Sequence, residues 1–287
     1  MYAPPQESRL RVLKSIAEFR SVRSGLSGSL GFLPTMGYLH EGHVALVRAA
    51  REQNDHVGVS VFVNPMQFGP KEDFSRYPRD EDRDLALLAE AGVDLVLMPT
   101  VDEMYPAGAT TSVDPGALGE VLEGAFRPGH FRGVATIVLK LFEIVRPTRA
   151  YFGRKDAQQL VVIRCMVRDL NLDVEIVPML TVREADGLAM SSRNIYLSPV
   201  ERESALCLHK ALTLAQEMWA RGLRDAGTYR ARMREVIDSE PSAIIDYVSV
   251  ADPESLEELD RIQGPALVSM AVRIGRTRLI DNVALGE

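Results

Sequence analysis

The chain is short of cysteine, of long apolar runs and of positive charge. Two cysteines in 287 residues fit neither a disulfide framework nor a zinc site built on paired cysteines. No apolar run reaches membrane-spanning length, and the N-terminal stretch MYAPPQESRLRVLKS lacks the apolar core of a signal peptide. We therefore expect a reducing, cytoplasmic location and no membrane. The formal net charge of −7 argues against a dedicated nucleic-acid binder.

Short β-type runs alternate with helical patterns through the first two thirds of the chain. Strands are predicted at residues 29–34, 57–63, 93–99, 149–152 and 173–179, and helices at 43–53, 79–92, 133–145 and 157–170. This order predicts an α/β fold with a parallel sheet and helices on both faces. Ligands bind such sheets at the carboxyl ends of the strands, where three polar loops fall: TMGYLHEGH, NPMQFGP and GRKDAQQ.

Beyond about residue 183 the pattern changes. A helix is predicted over residues 199–222, with Ser198 as its cap and Pro199 at its first position, and a second helix near residues 227–238. The runs AIIDYVSVAD, ALVSMAVRIG and TRLIDNVAL indicate a short antiparallel sheet. We predict two domains: residues 1–180, and a smaller α+β domain of residues 181–287.

His40 and His43 lie three apart after a glycine turn, in a chain with only five histidines. Their spacing does not match a metal-binding His-Glu-x-x-His motif. A packed core histidine is a common alternative for one of them, but less convincing for two at a strand-to-helix turn. There the helix N-terminus already attracts anions and imidazoles add donors. The pattern favours a phosphate site.

Two further segments have side chains suited to phosphate. In YFGRKDAQQ, Gly153 permits close backbone approach and Lys155 supplies a mobile positive charge. In GLAMSSRN, Arg193 follows two serines and has the geometry to clamp a pyrophosphate. Each segment alone is more typical of a solvated turn or a helix cap. The acids that follow YPR include a candidate Mg²⁺ ligand, although most of them also suit a helix N-terminus; they are Asp80, Glu81, Asp82 and Asp84.

Taken together, the blocks LPTMGYLHEGHVALVRAA, SVFVNPMQFGPKEDFSRYPR, FRGVATIVLKL, YFGRKDAQQ and VREADGLAMSSRN strongly resemble the pantothenate synthetase (pantoate–β-alanine ligase) family. The similarity runs from about residue 30 to residue 199. The resemblance implies a Rossmann-type, doubly wound N-terminal domain, a smaller lid domain and a homodimer. It also implies a reaction in which ATP and pantoate form a pantoyl adenylate, whose acyl group β-alanine then takes to give pantothenate. ATP would be a substrate and Mg²⁺ would accompany it.

The resemblance also assigns roles to residues. The catalytic set it implies is His40, His43, Lys155, Ser191, Ser192 and Arg193. The ATP site would be lined by Pro34, Thr35, Met36, His43, Gly153, Lys155, Asp156, Val182, Met190, Ser191, Ser192 and Arg193. Pantoate would contact Met36, Asn64, Gln67 and Gln159. Asp84 matches the family's magnesium position best, and the residue before it is Arg83, where some relatives have a second acid.

Two alternatives stay open at the level of the sequence. Another nucleotidyl transferase of the same superfamily would carry the His-x-Gly-His-type piece, but it would need more cationic residues for a phosphorylated acceptor. A non-catalytic adenine-nucleotide-binding regulator would not need the transfer residues. Because adenylation joins two anions and needs no covalent nucleophile, the histidines, lysine and arginine suit catalysis by alignment and charge stabilisation.

Overall fold

The computed structural model describes residues 10–70 and 72–286. The prediction that the N-terminal stretch lacks a signal peptide rests mainly on residues 1–9, which lie outside the described residues. The strands are β1 Arg11–Leu13, β2 Leu30–Thr35, β3 His56–Val61, β4 Leu95–Leu97, β5 Arg149–Gly153, β6 Glu175–Met179, β7 Ala243–Ala251, β8 Ala266–Ile274 and β9 Thr277–Leu285. No helix within the described ranges has the length and apolar character needed to cross a membrane.

The helices are α1 Ile16–Ser24, α2 Glu41–Gln53, α3 Glu81–Glu90, α4 Val101–Met104, α5 Glu123–Phe126, α6 His130–Val145, α7 Ala157–Asp169, α8 Pro199–Ser204, α9 Leu206–Ala220 and α10 Ala226–Asp238. Short 3-10 turns occupy Pro65–Gln67, Phe74–Arg76, Gly116–Gly119, Arg154–Asp156 and Ser192–Tyr196.

The predicted parallel sheet is confirmed. Six strands lie in the order β1-β4-β3-β2-β5-β6, and every neighbouring pair is parallel. The chain moves from β2 outward to β3 and β4, and then returns to the other side of β2 as β5. The strand order therefore reverses between β2 and β5, and ligands bind open α/β sheets at such a switch point.

The first core explains why these runs form strands. The first four residues of β2 and the middle four of β3 are buried, as expected for strands covered on both faces. Val57 and Val59 of β3 join Leu33, Val47 of α2 and Leu88 of α3 in one apolar cluster. Burial of apolar surface, worth about 25 cal/mol per Å², means that this cluster stabilises the sheet.

The C-terminal antiparallel sheet is also confirmed, with strand order β7-β8-β9. Its core is built from β8, whose residues 266–272 are all buried, together with apolar side chains of α9 and α10. Ser198 caps α8 and Pro199 is its first residue, as predicted. The single helix predicted over 199–222 is wrong. It is interrupted at Ala205, where the Leu208 N–H donates to the Ala205 carbonyl three residues back, a bond of the 3-10 type.

The chain divides into two compact units, and each is made of several stretches of chain rather than of one stretch on either side of residue 180. The first unit comprises residues 1–115, 129–153 and 162–179, and the second comprises 116–128, 154–161 and 180–287. Two short segments of the predicted first domain thus belong to the second unit. The segment 116–128 is tied there by the Glu123 carboxylate, 2.6 Å from the Arg278 guanidinium of β9. The two residues of this ion pair are far apart in sequence, so no local sequence pattern predicts that the segment 116–128 belongs to the second unit.

Candidate active site

The turn between β2 and α2 places the two histidines. Gly37 and Tyr38 both adopt left-handed backbone conformations, with φ of 81° and 50°. This conformation costs glycine little but costs a tyrosine energy. The chain then returns to an extended conformation at His40, which is the N-cap of α2. The helix therefore begins two residues before the predicted position, because the histidine itself acts as its cap.

Hydrogen bonds fix how each imidazole is oriented. His40 Nδ1 accepts the backbone N–H of Gly42 at 3.1 Å, and His43 Nδ1 accepts the backbone N–H of His40 at 3.3 Å. A ring nitrogen that accepts a hydrogen bond carries no proton, so each neutral ring carries its proton on Nε2. Two Nε2–H donors thus belong to the N-terminal turn of a 13-residue helix, which favours an anion.

Asp84 of α3 stabilises this turn through hydrogen bonds to its backbone. Its carboxylate accepts the backbone N–H of Tyr38 at 2.6 Å and that of Leu39 at 2.7 Å, and its side chain is 2% exposed. The Arg83 guanidinium lies over the Tyr38 ring, 5.2 Å from the ring centre, and 3.9 Å from the Asp84 carboxylate. Burial raises the pKa of the Asp84 carboxyl above its ordinary value, although the two backbone bonds act the other way. Asp84 thus binds the backbone of Tyr38, and Arg83 packs over its ring.

A second group of side chains surrounds the 3-10 turn after β3. The Asn64 amide donates to Gln67 Oε1 and to the Gly133 carbonyl, both at 3.1 Å, and its oxygen accepts from Met66 and from the Tyr105 hydroxyl. This uses the full hydrogen-bonding capacity of the amide. Asn64 is therefore an anchor for the turn, and its contact with pantoate stays a prediction.

The same turn sets the position of Gln67. Its side-chain nitrogen lies 3.1 Å from the Met36 sulfur, and its backbone carbonyl accepts the Nδ1–H of His130 at 2.8 Å. Gly133 of α6 permits the close packing, because an added Cβ there would overlap the Met66 carbonyl. The structure thus brings together Met36, Asn64 and Gln67, three of the four residues predicted to hold pantoate.

A pocket of about 350 Å³ opens at the carboxyl ends of β3 and β4. Met36, Gly37 and Asp84 form part of its wall, together with the residues that follow β3. The far wall comes from Met98 to Val101, and Arg79 and Lys14 contribute positive charge. The turn that carries the histidines therefore borders a cavity of ligand size.

In the second unit, Lys155 and Asp156 lie in the 3-10 turn that follows β5. The Lys155 ammonium is 4.0 Å from the Asp156 carboxylate, and the two side chains are 19% and 48% exposed. A Cβ added at Gly153, the last residue of β5, would meet open space, as expected of a backbone that a ligand approaches. Gln158 is instead structural: it is buried and bonds Glu123 and the carbonyls of Leu118 and Val121.

The loop that leads to Ser191 and Ser192 is held by hydrogen bonds between its own two sides. The Met190 N–H donates to the Val182 carbonyl at 3.0 Å, and Arg183 pairs with Ala189 as a β-bridge. Ser191 caps the next turn by accepting the Arg193 N–H at 3.3 Å. Ser192 and Arg193 lie in that 3-10 turn. The predicted phosphate contacts of this segment therefore project from an ordered turn.

The predicted site residues fall into two sets. Those in the first unit are Pro34, Thr35, Met36, His40, His43, Asn64, Gln67, Asp84 and Gly153. Those in the second unit are Lys155, Asp156, Gln159, Val182, Met190, Ser191, Ser192 and Arg193. Each set belongs to its own unit, and the assembly of these residues into one pocket stays a prediction.

Sequence reasoning missed the residues that support these turns. Asp281 and Asn282 of β9 bond the second-unit segments, and Tyr105 bonds Asn64. The adjacent pair did leave a signal, because two polar residues interrupt the apolar run TRLIDNVAL. Tyr105 left none, since its hydroxyl partner is 41 residues away. Burial raises the pKa of Tyr105 well above its ordinary value, so the hydroxyl stays protonated as a donor.

The strand order, with the N-terminus of α2 following β2 at the point where that order reverses, places the chain among Rossmann-type α/β proteins, which bind ligands at such a switch point. The family model of pantoate-beta-alanine ligase matches residues 11–284. The chain therefore belongs to the pantoate-beta-alanine ligase family.

Individual relatives agree over nearly the whole length. The pantothenate synthetase of Roseiflexus castenholzii is 60% identical over 276 residues, which cover 96% of this chain and 99% of the relative. The crystal structure of pantothenate synthetase from Thermus thermophilus matches with a TM-score of 0.90 and 50% identity, over 95% and 98% of the two chains. The Francisella tularensis pantoate-beta-alanine ligase, complexed with beta-gamma ATP and beta-alanine, matches with a TM-score of 0.79 and 33% identity over 96% and 97%.

Proposed function

We propose that the chain is an ATP-dependent ligase that joins pantoate and β-alanine to form pantothenate, with AMP and pyrophosphate as the other products. The family match across residues 11–284 carries this conclusion. ATP and β-alanine are the ligands named for the Francisella tularensis relative, which supports both as substrates here.

The reaction proceeds in two displacements through a pantoyl adenylate. In the first, a carboxylate oxygen of pantoate attacks the α-phosphorus of ATP, and the bond to the bridging oxygen breaks to release pyrophosphate. In the second, the amine of β-alanine attacks the acyl carbon, the acyl–oxygen bond breaks, and AMP leaves while the amine loses a proton. No protein nucleophile is required. Catalysis comes from alignment of two anions and from donors that stabilise charge on the phosphoryl group.

The residues of the first unit would supply hydrogen-bond donors from neutral side chains. The Nε2–H groups of His40 and His43 would bond phosphate oxygens, since the Nδ1 atoms are occupied by backbone N–H groups. Met36 and Gln67 would hold pantoate together with Gln159 of the second unit, with the two glutamines on its hydroxyls. Asn64 would act by fixing the turn that presents Gln67.

The residues of the second unit supply positive charge and the nucleoside contacts. Lys155, Ser191, Ser192 and Arg193 would neutralise the phosphates, and Asp156 would bond the ribose. Val182 and Met190 would line the nucleotide, together with Pro34, Thr35 and Gly153 of the first unit. A homodimer and a cytoplasmic location are part of the same proposal.

Magnesium would accompany ATP, where it supplies charge neutralisation on the phosphates. The described residues contain no group of three or more carboxylate, histidine or cysteine ligands that would hold a metal by themselves. Asp84 fits poorly as a ligand, because each oxygen already accepts a backbone N–H and the Arg83 guanidinium is 3.9 Å away. The residues fit an ion held by the nucleotide better than one held by the protein.

The test is pantoate-dependent exchange of labelled pyrophosphate into ATP, measured without β-alanine. We expect exchange, because adenylate formation is reversible and precedes the amine. A protein that binds ATP without exchange would support a regulator instead. Exchange with a phosphorylated acceptor in place of pantoate would support another nucleotidyl transferase.

A further inference from the structure

The last strand of the chain bonds both of the second-unit segments that the proposed function places on the phosphates. β9 is an edge strand of the antiparallel sheet. Two adjacent residues, Asp281 and Asn282, lie within it. Neither belongs to the catalytic or binding residues assigned above.

Asn282 fixes the backbone that carries Lys155. Its side-chain amide donates to the Lys155 carbonyl at 2.7 Å and to the Arg154 carbonyl at 3.0 Å. Both N–H groups of the amide are therefore used on two successive peptide units. A lysine side chain is flexible, so the direction of its ammonium depends on how firmly its backbone is held.

Asp281 fixes the loop that leads to the two serines. Its carboxylate binds Arg183 through both oxygens, at 2.6 and 3.0 Å, and its side chain is 1% exposed. Arg183 in turn donates to the Gly187 carbonyl at 3.0 Å, within the same loop. One Asp281 oxygen also accepts the Asn282 N–H at 2.8 Å. Two neighbouring side chains thus hold two segments that are about thirty residues apart in sequence.

We propose that Asn282 and Asp281 are positioning residues for adenylation, which set Lys155 and the Ser191–Arg193 turn in register with each other. The inference rests on the proposed function, because it takes these two segments as the phosphate contacts. Asn282 acts through Lys155, and Asp281 acts through Arg183.

The test is a double-mutant cycle in the pyrophosphate exchange assay with Asn282→Ala and Lys155→Ala. We expect Asn282→Ala to lower kcat by on the order of tenfold to a hundredfold, since small misplacements of catalytic groups cost rates of that size. In the Lys155→Ala background the same substitution should change kcat by less than about twofold, because the group it positions is gone. A substitution that acted only by loosening the fold would lower kcat by the same factor in both backgrounds, and that result would overturn the proposal.

Val283→Ala is the matched control. It removes volume from the neighbouring residue, which packs on the core, and leaves the bonds to Arg154 and Lys155 in place. We expect it to lower the melting temperature while kcat stays within about twofold of the unmutated protein. If Val283→Ala lost as much kcat as Asn282→Ala at equal melting temperature, the loss would reflect stability and the proposal would fail.

The unmutated protein separates this inference from the proposed function. Absence of pantoate-dependent exchange in that protein would overturn both. Normal exchange, together with normal kcat for Asn282→Ala, would leave the ligase intact and overturn the positioning role alone.

Discussion

His40 and His43 lie against each other at the head of α2, with ring centres 4.1 Å apart and planes inclined by 49°. The His40 backbone N–H donates to the His43 ring, so the backbone of one histidine orients the side chain of the other. A capping residue is ordinarily serine, threonine, aspartate or asparagine. His40 instead caps α2 with its ring Nδ1, which accepts the backbone N–H of Gly42.

His43→Ala should abolish measurable exchange and leave the fold intact. Removal of one preorganised donor lowers rates by on the order of 10²–10³, whereas loss of the bond that the His43 ring accepts from the His40 backbone N–H costs about 1 kcal/mol of stability. Exchange kinetics and thermal denaturation measure the two effects separately. His56→Ala is the control, since His56 begins β3 at the opposite end of the strand from the site. Near-normal turnover in His43→Ala would contradict the assignment.

Asp84→Asn should lower exchange without a change in the Mg²⁺ concentration needed for half-maximal rate. The asparagine keeps one acceptor but turns an amide N–H toward a backbone N–H of Tyr38 or Leu39, so the strained turn loses a bond. We expect a stability loss of about 1–3 kcal/mol by urea denaturation. Asp82→Asn, on the exposed face of the same helix, is the control. A large increase in the Mg²⁺ requirement would show that Asp84 is a metal ligand after all.

Gly133→Ala should destabilise the first unit although alanine favours helices. The propensity gain is about 0.5–1 kcal/mol, but an added methyl group would overlap the backbone of Met66 and Gln67, and overpacking costs about 1–3 kcal/mol. Urea denaturation gives the net effect. Gly264→Ala is the comparison, because a methyl group there meets open space. Equal stability for the two variants would contradict the close approach of α6 to the Pro65–Gln67 turn.

Stability should fall as the pH rises from about 8.5 toward 11, and Cys207 should account for part of the fall. Burial raises the pKa of the Cys207 thiol to about 11, whereas an unfolded cysteine ionises near about 8.5. Between these values the unfolded chain loses a proton that the folded chain keeps, so the contribution present below about pH 8.5 is lost by about pH 11. Urea denaturation of Cys207→Ala should show a shallower decline than the unmutated protein.

Local sequence patterns predicted the strands and helices whose own apolar residues show that they are buried. β2, β3 and α6 lie within a few residues of their predicted bounds because their apolar residues are continuous or recur at helical spacing. β1 was missed, since three residues, two of them exposed, give no periodic signal. The break at Ala205 was missed for a similar reason: alanine is a good helix former and nothing in its type marks a change in bonding.

The sequence suggests residues for the candidate site, but it does not show which residues hold them in place. Glycine and histidine at a strand-to-helix turn have a direct physical meaning for an anion. The bonds that hold them come from elsewhere in the chain: Asp84 reaches back 45 residues to Leu39, and Asn282 reaches back 127 residues to Lys155. Such pairs depend on tertiary packing, which a single sequence does not display.

The second unit is assembled from three stretches of chain, and this limits how the gene can be cut. A fragment of residues 181–287 alone would keep Arg278 but lose Glu123. The Arg278 guanidinium would then keep only one of its two carboxylate partners, that of Asp246. It would also keep Asn282 without the peptide units it binds. Exchange of this region between relatives therefore has to carry residues 116–128 and 154–161 along with it.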